Sequence, residues 1–157
     1  MRLESGAGVS SAMALLLRFH YALVLLVALA GVLVWVPAPA LAATVARPGI
    51  VVTAVYVWQI AGIQLYHQAT LADNSGWQPG LLAFLLLPLG MAALALLLAP
   101  LAGAMLLLGA LVLLYQPERA PSLSQQWPAA WRKSRYQQTQ LLAVALASMA
   151  VYLWYGD

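Results

Sequence analysis

Two histidines and a short polar stripe are the side chains best suited to chemistry in this sequence. His20 stands at the start of the first long apolar stretch and His67 at the end of the second. If the two stretches are antiparallel helices, both imidazoles come to the same end. Two imidazoles from neighbouring helices can ligate a haem iron or contact another tetrapyrrole. The simpler reading is a pair of wet histidines at helix ends that need no cofactor. No cofactor is therefore expected, with haem or another tetrapyrrole on His20 and His67 as the alternative. No cluster of histidines and carboxylates has the spacing of metal ligands, so no metal site is expected.

The second stretch also carries polar residues in helical register. At 100° per residue, Thr53, Tyr56, Gln64 and His67 fall within an arc of about 80°, and Gln59 lies further round. In a membrane span such side chains face protein or a water-filled cavity. A substrate path or cofactor wall is one reading. Hydrogen bonding between helices is the other, and the preferred one, at about 0.6 kcal/mol per contact. Small residues recur four apart, as Ala95, Ala99 and Gly103, and as Ala143 and Ala147 with Ala150 on the same side. Such faces permit close helix approach, within the chain or against a partner, and carry no chemistry.

These residues need elements to hold them, and composition states which kind. Of 157 residues, 64% are hydrophobic and 7% charged. A soluble domain is about 45–50% apolar and about 25% charged. So short a chain cannot hide this much apolar surface in water, whereas a bilayer solvates it. The sequence predicts an all-α fold, a polytopic transmembrane bundle of about five helices in one membrane domain spanning 1–157. Apolar stretches run from about Phe19 to Val36, Gly49 to Tyr66, Leu81 to Tyr115 and Gln140 to Tyr155. As one helix, the stretch from Leu81 would be about 50 Å long. The hydrocarbon core is about 30 Å thick. The segment Ala99-Pro100-Leu101-Ala102-Gly103 offers a break. The third and fourth helices are thus expected as a short hairpin, Gly80–Leu98 and Leu101–Gln116, crossing fully or re-entrant. Asp73, Asn74, Ser75 and Gly76 read as a turn.

Charge sets the expected orientation. With five spans and a cytoplasmic N-terminus, Arg2, Arg18, Arg119, Arg132, Lys133 and Arg135 lie inside, and Arg47 alone outside. The C-terminus is then outside. Before the fifth helix, Trp131, Arg132, Lys133, Arg135 and Tyr136 are expected as an interfacial anchor, and Tyr152, Trp154 and Tyr155 form the opposite belt. From Tyr136 to Trp154 is about 27 Å of helix, a bilayer's thickness. A second reading takes residues 1–42 as a signal peptide, because Ala40-Leu41-Ala42 resembles a cleavage site. The long segment before the apolar run favours a retained first helix instead.

The net charge of +3 rests on seven Lys and Arg without a long basic run, so nucleic acid is not an expected partner. The absence of cysteine excludes disulfides, thiol catalysis and thiolate metal sites. No phosphate loop, nucleophile elbow or carboxylate pair appears. No central span carries Asp, Glu, Lys or Arg, with Arg18 at most near an edge, which argues against a coupled transporter. The reading that follows is a small integral membrane protein acting as a non-catalytic accessory subunit, with membrane lipids and other membrane subunits as partners. A small b-type cytochrome and a passive pore or carrier lined by the second helix are the alternatives. Six Arg against one Lys, with Ala and Leu dominant, suggest a GC-rich bacterial genome and an inner membrane.

Overall fold

The computed structural model describes residues 11–36, 38–75, 79–119 and 127–155. Among them the chain forms five α-helices and no strand: α1 Ser11–Leu33, α2 Pro39–Ser75, α3 Pro79–Leu97, α4 Pro100–Arg119 and α5 Ala129–Tyr155. Proline sets most of the starts. Pro39, Pro79 and Pro100 occupy the first position of α2, α3 and α4, where a missing N–H costs nothing. Pro128 precedes α5, and its carbonyl accepts from the Arg132 N–H at 3.1 Å. Three stretches are long and apolar enough to cross a membrane: Ser11–Leu33, Leu41–Thr70 and Pro100–Pro117. Leu82–Leu97 is apolar but shorter.

Helix α2 is the hub, packed against each of the other four. The remaining helices close around it in the order α1, α5, α4, α3. Its interior is aliphatic, with Val27, Ile50, Ile60, Leu107, Leu146 and Met149 fully buried. Large apolar side chains cover the outside as well, among them Leu25, Leu29, Leu87, Leu97 and Val144. Close backbone approach and hydrogen bonds between side chains join the helices. Glycine supplies the approach. A Cβ on Gly31 would lie 3.0 Å from the Ala145 carbonyl oxygen, and one on Gly103 would lie 2.8 Å from that of Ala95.

Several sequence-based boundaries need correction. Helix α2 begins ten residues before Gly49, at Pro39, and runs through Asp73 and Asn74 to Ser75. Pro48 lies inside it, where one missing hydrogen bond does not end a helix this well packed. Gly76 lies outside the described residues. The break between α3 and α4 is only Leu98 and Ala99. Gly103 is no turn residue: its N–H bonds the Ala99 carbonyl at 2.9 Å, and its missing side chain lets α4 close on α3. Arg47 completes this corner. Its guanidinium donates to the carbonyls of Leu98, at 2.8 Å, and Leu96, at 3.4 Å. A cation there faces the negative end of the α3 dipole.

Candidate functional site

The polar residues of α1, α2 and α5 meet inside the bundle. Tyr56 of α2 is fully buried, and its hydroxyl donates to Gln138 Oε1 of α5 at 2.9 Å. The Arg135 guanidinium donates to the same hydroxyl oxygen, and its carbon stands 5.3 Å from the centre of the Tyr56 ring. Gln138 Nε2 in turn donates to Ser134 Oγ at 3.2 Å. One phenol oxygen thus ties two helices through two side chains three residues apart. Arg135 is 1% exposed, so this is a cation held within protein.

His20 sits against this knot. It is 0% exposed, nine residues inside α1, and not at a wet helix end as the sequence suggested. The boundary explains the difference: α1 begins at Ser11, a full two turns before the apolar run. The His20 ring meets Tyr56 edge-on at 5.6 Å and Trp131 at 6.3 Å. Neither ring nitrogen makes a hydrogen bond of regular geometry, although the Gln59 side chain lies close enough to interact with the ring, and Trp131 Nε1 is buried without a partner among the described residues. Trp131 stacks on Trp127 at 5.2 Å, and Trp127 packs on His67 at 4.2 Å. The two histidines are therefore joined through two indoles, not to each other. Ligation of one iron by both requires that file to open.

The helix 2 stripe is turned inward along its length. Thr53 Oγ1 donates to the Gly49 carbonyl of its own helix at 2.8 Å, and Gln64 Nε2 donates to the Leu114 carbonyl of α4 at 3.4 Å. His67 is half-buried. Gln64 Oε1 and His67 Nε2 make no hydrogen bond.

The interfacial anchor divides. Arg132, Lys133 and Tyr136 are exposed. Trp131 and Arg135 are a correction: both point into the bundle, because they continue the buried stripe of α5 through Gln138, Leu142, Ala145 and Met149. That stripe was readable as a 3.6-residue period, and it also flags Ser134 and Gln138, which charge and aromatic content alone overlook. At the far end Trp154 and Tyr155 are exposed, while Tyr152 packs edge-on to Trp35 at 4.9 Å. Trp35 Nε1 donates to Ser148 Oγ at 2.8 Å, and Ser148 Oγ donates to the Gly31 carbonyl at 3.0 Å. The small-residue series on α5 also shifts phase, since Ala145 takes the Gly31 contact while Ala147 is exposed. Among the described residues no group of three or more His, Cys, Asp or Glu could hold a metal ion. The chain matches no known protein family, no curated protein and no solved structure.

Proposed function

We propose that this chain is an integral inner-membrane protein of a bacterium, crossing the bilayer five times with its N-terminus in the cytoplasm and its C-terminus outside, and that it is a non-catalytic accessory subunit of a larger membrane assembly. The parallel course of α1 and α5 supports an odd number of crossings. Tyr21 pairs with Gln137, Gly31 with Ala145 and Trp35 with Ser148, so residue numbers rise together on the two helices.

One observation carries the subunit reading. Gly31, Gly49 and Gly103 each have a neighbouring helix where a side chain would go. Gly62 on α2 and Gly90 on α3 have nothing within 4 Å, and both are exposed. They share one flank. Trp58, one turn from Gly62, donates its Nε1–H to the carbonyl of Leu89, the residue before Gly90, at 3.2 Å. Glycine in a helix interior costs about 1 kcal/mol relative to alanine. Among the described residues no contact offsets that cost, whereas a helix of another subunit would use the opening.

The test is Gly62→Leu and Gly90→Leu, followed by native mass in a mild detergent. At the Cβ neither substitution comes within 4 Å of a neighbouring described atom, so each variant should fold and reach the membrane as the wild type does. The wild type is expected in a complex heavier than a single chain, and the variants as the chain alone. A wild type that runs alone, or variants that keep the complex, would refute the reading.

A further inference from the structure

The outer seam between α1 and α5 holds a groove of about 690 Å³ lined by Tyr21, Gln137, Gln140, Leu141, Ala143 and Val144. Tyr21 donates to Gln137 Oε1 at 2.7 Å across its upper part. Because the helices run parallel, residues just before this pair on both helices lie toward the same end. Arg18 is three residues before Tyr21 and Lys133 four before Gln137, so each stands about one turn, roughly 5 Å, beyond the bond. Both are exposed. On α5, Lys133, Gln137, Gln140 and Val144 repeat at three and four residues and form one outward stripe. Read along the helix axis, the seam offers two cations, then a phenol and two amides, then aliphatic walls.

We infer that this groove seats an anionic phospholipid of the surrounding membrane. The inference rests on the membrane reading proposed above and not on the subunit reading. The order of groups along the seam is that of the lipid. The phosphate meets Arg18 and Lys133, the ester carbonyls meet the amide N–H groups of Gln137 and Gln140, and the upper acyl chain lies on Leu141, Ala143 and Val144. Basic pockets between helices at the cytoplasmic face recognise anionic headgroups in this way. A second copy of the chain fits worse, since a symmetric pairing along this seam would set Arg18 and Lys133 against their own like charges.

The experiment is native mass spectrometry of the full chain in detergent, given phosphatidylglycerol or phosphatidylcholine with matched acyl chains. Wild type should retain phosphatidylglycerol preferentially. Arg18→Gln and Lys133→Gln should each lower that preference about fivefold, and the double variant about 25-fold. Val144→Trp should lose both lipids by filling the groove. Arg132→Gln, on another face of α5, should change nothing. Equal retention of the two lipids by wild type, an unaltered double variant, or an equal effect of Arg132→Gln would overturn the proposal. So would a photo-cross-linker at Gln140 that captures protein rather than lipid. Alkaline carbonate extraction separates the two levels. Wild type released from membranes would sink the membrane reading and the lipid seat together, and wild type retained without lipid preference would sink the lipid seat alone.

Discussion

Replacing Tyr56 with Phe tests whether the buried knot between α2 and α5 stabilises the bundle. The ring stays, with its contacts to His20 and the Arg135 guanidinium. Only the hydroxyl goes, and with it the donor to Gln138 Oε1 and one acceptor for Arg135. Leaving a buried polar group unsatisfied costs about 1–3 kcal/mol, more for a charged one. Two effects reduce that. Hydrogen bonds between membrane helices average about 0.6 kcal/mol. Arg135 and Gln138 are also three apart on one helix, so the guanidinium can turn to the amide oxygen. Burial decides between these terms: Tyr56 and Gln138 are both 0% exposed, so no solvent replaces the lost partner. A loss of about 2 kcal/mol is expected. Reversible unfolding in mixed micelles, titrated with a denaturing detergent, measures it. Tyr21→Phe is the comparison, because its bond to Gln137 lies at the surface, and it should cost about 0.5 kcal/mol or less. Adding Gln138→Leu to Tyr56→Phe should cost more, since it removes both the amide oxygen to which the guanidinium can turn and the donor to Ser134 Oγ. The reasoning fails if Tyr56→Phe lies within about 0.5 kcal/mol of wild type, or if Tyr21→Phe costs as much.

Glycine substitutions should rank by what the new Cβ meets. Gly31→Ala strikes the Ala145 backbone at 3.0 Å and should lower stability by about 1–3 kcal/mol, whereas Gly109→Ala meets only the flexible Met91 Cε at 2.9 Å and should be neutral or stabilising in the same micelle unfolding. For the proposed topology, a periplasm-active reporter fused after Asp157 should be active and a cytoplasm-active one silent, and the opposite pattern would exclude five crossings with an inside N-terminus.

Much of the helical layout was legible because proline and apolar length act locally. Gly80–Leu98 and Leu101–Gln116 differ from α3 and α4 by one to three residues at each end, since Pro79 and Pro100 fix the starts whatever surrounds them. Helix α2 was read short for the opposite reason. Arg47 and Pro48 interrupt the apolar sequence, yet Ala42, Ala46 and Ile50 are buried in the bundle. Tertiary contact outweighs one missing N–H there. His20 was misplaced by the same kind of error. Its burial depends on Tyr56 and Trp131, which lie 36 and 111 residues away in sequence, and no local pattern encodes that meeting.

Arg135 shows how composition and phase can disagree within a few residues. Arg132, Lys133 and Arg135 form one basic cluster by sequence, and charge alone treats them alike. A helix turns 100° per residue, so Arg132 and Lys133 can face out while Arg135 faces in with Trp131. The inward phase is set from below by Gln138, Leu142, Ala145 and Met149, which cannot turn outward without breaking the seam with α1. Once that stripe is fixed, the third cation must enter the bundle, and Tyr56 on α2 supplies an acceptor where it arrives. The basic cluster thus divides its work by phase. Two charges remain at the surface, where Lys133 heads the α1–α5 groove. The third joins α2 to α5, in a layer where a neutral side chain of similar length would leave the Tyr56 oxygen with one hydrogen-bonding partner fewer.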